Sequence, residues 1–155
     1  MPLRPAQFDE AAATLTPLLK DLPSRLVAID GRMGAGKSTI GRFLSWYFNV
    51  TLVETDPFLV GDGTLARRVD EIARIVAFRL DCKSPRPVLL EGVGMRQLLE
   101  QLKRPADFHV YVENTTCPYE TCTAVLEYEA KFRPKEGAGI VVSLAHEGLL
   151  MPVQQ

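Results

Sequence analysis

The segment from Gly31 to Ser38 constrains the fold of this chain more than any other part of the sequence. It reads Gly-Arg-Met-Gly-Ala-Gly-Lys-Ser and matches the phosphate-binding pattern Gly-x-x-x-x-Gly-Lys-Ser/Thr at every fixed position. Glycines let the backbone fold closely around phosphate groups with its N–H groups pointing inward. In such a loop Lys37 would reach the β- and γ-phosphates of a bound triphosphate, and the Ser38 hydroxyl would ligate the bridging Mg²⁺. The nucleotide-binding residues predicted from this pattern are consecutive: Gly31, Arg32, Met33, Gly34, Ala35, Gly36, Lys37, Ser38 and Thr39.

The residues on either side of this loop favour a real phosphate site over a chance glycine-rich turn. Leu26 to Ile29 is a continuous apolar run, as a parallel strand covered on both faces requires. After the loop, Ser38 to Tyr47 places apolar and aromatic side chains at helical spacing on one face. A helix that begins at the loop adds its free N–H groups and its dipole to the phosphate site.

Composition limits the classes of protein to consider. The chain has 155 residues, 46% hydrophobic and 24% charged, which predicts one globular domain over residues 1–155. A net charge of −1 gives no electrostatic reason to expect a nucleic-acid or membrane partner. The sequence shows neither a leader pattern nor an apolar run long enough to span a bilayer. Its three cysteines fit no metal-ligand spacing and leave an odd thiol, so we expect reduced thiols and a cytoplasmic location.

Strand and helix signals alternate along the chain. An N-terminal helical segment occupies residues 1–22, with a helix inside Ala6 to Lys20 that Pro17 interrupts. The later strands are predicted at Val50 to Glu54, Pro87 to Leu90, Phe108 to Val112 and Gly139 to Ser143, and the later helices at Leu65 to Leu80, Met95 to Leu102 and from Pro118 onward. Strands separated by helices imply βαβ units with right-handed crossovers. The predicted fold is a three-layer α/β/α sandwich around a parallel five-stranded sheet.

Two carboxylates are predicted at the ligand-binding edge of that sheet. Glu91 directly follows the apolar residues Val88 to Leu90, where a carboxylate contacts Mg²⁺ or its water, and Gly92 behind it leaves room for a ligand. Asp56 follows the second strand, where a carboxylate can accept the proton of an attacking hydroxyl. Each has a simpler interpretation, because strand ends often carry solvated carboxylates and Asp before Pro commonly starts a turn.

These segments together resemble the uridine kinase and phosphoribulokinase-like group of P-loop kinases. Four segments carry the resemblance in family order: Ile29-Asp30-Gly31 with Gly36-Lys37-Ser38-Thr39, Asp56-x-Phe58, Leu89-Leu90-Glu91-Gly92, and Tyr128 with Phe132 to Pro134 followed by Ala138 to Val142. The resemblance implies a P-loop NTPase-type fold and Mg²⁺-ATP-dependent phosphorylation of a hydroxyl on a small molecule. It assigns catalytic roles to Lys37, Asp56 and Glu91, with Asp56 as the base and with Ser38 and Glu91 at the metal.

The chain departs from that group in three ways. It is shorter, it carries Leu59 where uridine kinases have a tyrosine, and its sequence after the fourth strand, Glu113 to Pro118, lacks the lid arginines. Without them, cations elsewhere must neutralise the transferring phosphoryl group. Five residues are candidates, each also explained as a solvated surface charge: Arg67, Arg68, Lys131, Arg133 and Lys135.

The sequence therefore predicts a kinase and leaves two alternatives open. One is a regulatory or degenerate domain that binds nucleotide without transfer, which the missing lid arginines favour. The other is an enzyme like shikimate and gluconate kinases, which the compact length and Glu54-x-Asp56 favour. A GTPase is disfavoured because no Asn-Lys-x-Asp string is present to read guanine. The sequence does not identify the acceptor or the oligomeric state.

Overall fold

The chain folds around a parallel sheet of five strands in the order β2-β3-β1-β4-β5. The structure is a computed structural model that describes residues 5–117 and 120–145. The strands are β1 (Leu26–Gly31), β2 (Thr51–Glu54), β3 (Val88–Glu91), β4 (Phe108–Asn114) and β5 (Ile140–Leu144). The helices are α1 (Ala6–Leu19), α2 (Lys37–Phe48), α3 (Val69–Leu80), α4 (Met95–Leu102) and α5 (Thr123–Phe132). The predicted α/β class with a parallel five-stranded sheet is confirmed.

Helices cover both faces of the sheet, which explains the unbroken apolar run of β1. Val27 and Ile29 pack in one core cluster with residues of α1 and α2. Leu26 and Ala28 point the opposite way, into a second cluster with α3 and α4. Because successive side chains of a strand alternate between faces, a strand buried on both sides needs apolar residues at every position.

Helix α1 passes through Pro17 instead of being interrupted there. Pro17 lies in the last turn, where its missing N–H removes only one bond of the helix. Phe8 and Leu15 bury the inner face of α1 in the first core cluster. Residues 1–4 of the predicted N-terminal segment lie outside the described residues, as does Pro118, the predicted start of the last helix.

The predicted helix over Leu65 to Leu80 is wrong at its beginning. Helix α3 starts at Val69, and the preceding residues are extended or turned, with Leu59 and Arg67 forming an isolated antiparallel bridge. Leu65 has the spacing of the apolar stripe but packs in a third cluster with Val93 and Val125. A local pattern cannot separate these cases, because both give a buried leucine at helical spacing.

The strand order places the predicted carboxylates beside the phosphate loop. Strand β3 lies between β2 and β1, and Glu91 is in register with Ile29 on one side and Glu54 on the other. The carboxyl ends of β1, β2 and β3 therefore meet at one edge of the sheet. In open α/β sheets this edge is where ligands bind.

Two expectations from composition can be compared with the described part of the chain. Cys82, Cys117 and Cys122 are all free. Within residues 5–117 and 120–145, none of the helices is long and apolar enough to cross a bilayer.

Candidate active site

The loop between β1 and α2 has the backbone that its glycines predict. Gly36 precedes the first residue of α2 with a φ of 99°, a left-handed conformation that favours glycine. Gly31 has a φ of 153°, and a Cβ there would lie 2.2 Å from the carbonyl oxygen of Val112 on β4. Only glycine therefore lets β1 turn into the loop this close to the neighbouring strand.

Lys37 is the cation at the centre of the loop. Its side chain is buried, with the residue 5% exposed, and Nζ donates a hydrogen bond to the carbonyl oxygen of Arg32 at 2.8 Å. Burial lowers the pKa of Lys37, while the negative charges of Glu91, Asp56 and Asp30 oppose that shift. The ammonium thus lies inside the loop, close enough to three carboxylates to feel their charge.

Glu91 and Ser38 meet across the sheet edge. Ser38 Oγ donates to Glu91 Oε1 at 3.0 Å, and Glu91 is 1% exposed. The other carboxylate oxygen, Oε2, is buried with no hydrogen-bond partner among the residues that the structure describes. Burial raises the pKa of Glu91, whereas the Ser38 hydrogen bond and the Lys37 charge lower it. A buried oxygen without a partner is unfavourable unless a cation or water completes it.

The structure places Asp56 at the same edge, in a short 3₁₀ turn over Asp56–Phe58 directly after β2. Its side chain is 48% exposed, and Oδ1 lies 3.6 Å from Arg67 Nη2. Thr55 next to it donates its N–H to the carbonyl oxygen of Glu91 at 2.9 Å, which joins the ends of β2 and β3. Asp56 is therefore within electrostatic range of Lys37 and Glu91 and still open to a ligand.

The variable residues of the loop have different environments. Arg32 donates Nε and Nη2 to the two carboxylate oxygens of Glu129 on α5, each at 2.8 Å. Met33, Gly34 and Thr39 are exposed, whereas Ala35 is buried. Arg32 therefore links the loop to α5, a contact that no local sequence pattern predicts.

A second contact between the loop and α5 runs through Asp30. Its Oδ1 accepts hydrogen bonds from the N–H groups of Gly31 and Gly94, at 2.8 and 3.1 Å. Its Oδ2 accepts a hydrogen bond from the hydroxyl of Tyr128, which also accepts the N–H of Arg96. Burial raises the pKa of Asp30, and these hydrogen bonds oppose the shift. The sequence identified Asp30 and Tyr128 only as members of segments that resemble the kinase group. In the structure their side chains are hydrogen-bonded to each other.

The candidate cations divide into one buried and four exposed residues. Arg67 is buried beside Asp56, which contradicts its interpretation as a solvated surface charge. The exposed residues are Arg68, paired with Glu71, Lys131, lying over the ring of Phe132, Arg133, paired with Glu136, and Lys135, paired with Glu113. Arg67 is thus the functional candidate that the sequence pattern misplaced, because its burial depends on contacts with distant segments of the chain.

A cavity of about 480 Å³ borders the loop on the side of β4 and α5. Its walls include Arg32 and Met33 of the loop, Tyr111 of β4 and Glu129 of α5. Asp56 and Glu91 do not line it. The cavity therefore does not include the carboxylates at the ends of β2 and β3.

Two solved structures share the fold of this chain at low sequence identity. A possible uridine kinase from Bacillus stearothermophilus matches with a TM-score of 0.59 and 16% identity, over 87% of this chain and 96% of that one. A sugar kinase from Janibacter sp. HTCC2649 matches with a TM-score of 0.50 and 15% identity, over 84% of this chain and 88% of that one. No protein-family model matches the sequence, and a search of curated proteins finds no match. The resemblance to uridine kinase-like P-loop kinases is confirmed at the level of the fold, which is what such identities establish.

Proposed function

We propose that this protein is a kinase that uses ATP and Mg²⁺ to phosphorylate a hydroxyl of a nucleoside, sugar or similar small metabolite. The observation that carries the proposal is the convergence of Lys37, Ser38 and Glu91 at one sheet edge, with Asp56 beside them. These residues come from three separate strand ends, so no single motif accounts for their meeting. The kinase fold of the solved structures supports the same assignment.

The residues present fit a magnesium ion that accompanies ATP. Mg²⁺ takes oxygen ligands and is usually held by one or two carboxylates together with substrate phosphates and water. Ser38 Oγ and Glu91 Oε2, which has no hydrogen-bond partner among the described residues, provide oxygen atoms next to the loop. When bound, the ion would neutralise charge on the phosphates during transfer.

The Glu91→Gln variant is expected to need about 10- to 100-fold more Mg²⁺ to bind ATP. The substitution keeps the shape and the Ser38 contact but removes the negative charge that attracts a cation. The measurement is ATP binding by titration calorimetry at a series of Mg²⁺ concentrations. Glu100→Gln, an exposed residue of α4, is the matched control. An unchanged Mg²⁺ dependence in Glu91→Gln would remove Glu91 from the metal site.

The chemistry assigned to the chain's own groups is binding, charge neutralisation and proton transfer. The loop N–H groups and Lys37 hold the phosphates, which requires Nζ to leave the carbonyl oxygen of Arg32. Asp56 orients the acceptor hydroxyl and accepts its proton as the oxygen attacks the γ-phosphorus. The new phosphorus–oxygen bond forms on the acceptor, the bond to ADP breaks, and the proton passes from Asp56 to solvent.

The acceptor class is tested by measuring ADP release against a panel of nucleosides, sugars and hydroxy acids. We expect one class to stimulate turnover by at least about 100-fold over hydrolysis by water, because a positioned hydroxyl reacts at a high effective concentration. A response to nucleosides supports a uridine kinase-like enzyme. A response to hydroxy acids such as shikimate or gluconate supports the compact-kinase alternative instead.

The regulatory alternative has one observation in its favour. The exposed cations that follow β4 in the described part of the chain pair with neighbouring carboxylates or a ring, and Arg32 is bound to Glu129. If ATP binds but no acceptor on the panel stimulates ADP release, a nucleotide-binding regulator replaces the enzyme. Loss of ATP binding in a Lys37 variant would then still identify the loop as the site.

A further inference from the structure

Arg67 is buried at a point where an arginine is unexpected. Its side chain is 1% exposed, although it lies between the 3₁₀ turn and α3 in a segment of mostly exposed residues. Nε donates to Thr55 Oγ1 at 3.1 Å, Nη1 to the carbonyl oxygen of Leu65 at 3.1 Å, and Nη2 to that of Val93 at 2.6 Å. The guanidinium therefore joins the end of β2 to the segment that follows β3.

These three hydrogen-bond acceptors are neutral, so they leave the positive charge of Arg67 uncompensated. Burying an uncompensated charge is strongly unfavourable. The carboxylates that act on the guanidinium are those of Asp56, Asp30 and Glu91, and Asp56 is the one in ion-pair contact, at 3.6 Å. Burial lowers the pKa of Arg67 and these carboxylates oppose the shift. The positive charge of Arg67 is thus balanced by carboxylates at the candidate site, of which Asp56 is the one in contact.

The chain leaves space for this arrangement. A Cβ at Gly92 would lie 2.1 Å from Thr55 Oγ1 and 3.2 Å from Arg67 Nη2. Any larger residue after Glu91 would displace the guanidinium or the threonine. Gly92 therefore leaves room for the side chains of Arg67 and Thr55 as well as for a ligand.

We propose that Arg67 is the positioning residue for Asp56. Its donors are fixed by hydrogen bonds to one side-chain oxygen and two backbone oxygens, and its charge attracts one carboxylate oxygen of Asp56. Asp56 itself stays half exposed, so an acceptor hydroxyl can still reach it. This inference rests on the proposed function for the role of Asp56, and it places a buried cation at the site of a chain that lacks lid arginines.

A double-mutant cycle on turnover tests the positioning role. Arg67→Met is expected to lower kcat about 10- to 100-fold while changing the affinity for ATP less than about threefold. In the Asp56→Asn background the same substitution is expected to lower kcat less than about threefold, because Arg67 acts through Asp56. Arg67→Lys is expected to recover part of the loss, since it keeps the charge without the planar fork. Equal losses in both backgrounds would overturn the proposal, as would unchanged turnover in a folded Arg67→Met.

The control and a second variant separate folding from function. Arg74→Met changes an exposed arginine of α3 and is expected to keep wild-type turnover. If Arg67→Met does not fold, Thr55→Val is the second variant. It is a nearly isosteric substitution at a buried position, and it removes one of the three hydrogen-bond acceptors of Arg67. Thr55→Val is then expected to lower kcat about three- to tenfold, an effect that disappears in Asp56→Asn. A folded Thr55→Val with wild-type turnover would count against the proposal.

The same variants distinguish failure of this inference from failure of the proposed function. Urea unfolding gives the effect of Asp56→Asn on the unfolding constant, both in the chain that has Arg67 and in the Arg67→Met chain. Because the two side chains are in contact, these two effects are expected to differ by at least about threefold. Such coupling without any acceptor-dependent turnover would keep the contact between Arg67 and Asp56 and reject the kinase. Turnover without coupling, and with independent losses in kcat, would keep the kinase and reject Arg67 as its positioning residue.

Discussion

Turnover by the Asp56→Asn variant is expected to fall about 100- to 10,000-fold while ATP binds as tightly as in the wild type. Asparagine has nearly the shape of aspartate but cannot accept the proton of the attacking hydroxyl at neutral pH. At about 1.4 kcal/mol per tenfold change, the loss corresponds to roughly 3–6 kcal/mol of transition-state stabilisation. The expectation rests on the position of Asp56 beside the loop and on its half-exposed side chain.

Two measurements check this expectation separately. Single-turnover rates at saturating ATP and acceptor report the chemical step, and calorimetry reports ATP affinity. Asp70→Asn is the matched control, because Asp70 is an exposed aspartate at the start of the nearby helix α3. A fall in ATP affinity that equals the fall in rate would instead place Asp56 in nucleotide binding. Wild-type rates in Asp56→Asn would show that the aspartate only starts the turn before Pro57.

The parts of the fold that local pattern determines were predicted closely. Helix α4 begins at Met95 and ends at Leu102, as predicted, between two residues in the left-handed conformation, Gly94 and Lys103. Strand β4, by contrast, continues past the predicted Val112 to Asn114, because its pairing with β5 extends to that residue. Strand pairing depends on residues far away along the chain, so the sequence of a strand alone does not determine where the strand ends.

The candidate site likewise contains residues whose positions the sequence predicts and residues whose positions it does not. Lys37 and Ser38 are consecutive members of one motif, and Glu91 and Asp56 stand at strand ends that a parallel sheet must bring to one edge. Arg67 could not be placed, because its burial arises from contacts with the segments that follow two other strands. The contact between Asp30 and Tyr128 joins residues 98 positions apart. Polar residues that are buried by long-range contacts look in the sequence like surface residues.

The Lys37→Met variant is expected to lose both functions of the loop, with kcat reduced about 100- to 1,000-fold and ATP affinity weakened. Methionine is similar to lysine in length but carries no charge for the phosphates. In the structure the ammonium is held inside the loop by the carbonyl oxygen of Arg32, with Glu91, Asp56 and Asp30 around it. A cation already placed there stabilises the transferring phosphoryl group without having to be brought in from solvent.

Two further variants serve as comparisons for Lys37→Met. Lys37→Arg tests whether charge alone is sufficient, and Lys83→Met is the control for loss of a lysine elsewhere. Arginine keeps the positive charge, but its planar fork requires more room than a buried ammonium, so we expect Lys37→Arg to recover little of the lost rate. Lys83→Met removes a lysine from an exposed loop and is expected to behave as the wild type in both measurements. Normal ATP affinity in Lys37→Met, measured by calorimetry in the presence of Mg²⁺, would contradict the assignment of the loop to the phosphates. Weakened binding with an unaltered rate at saturating ATP would show that Lys37 binds the phosphates equally well in the ground state and in the transition state. The charge developed during transfer would then be stabilised by other groups, and Arg67, the buried cation in contact with Asp56, would be the first to test.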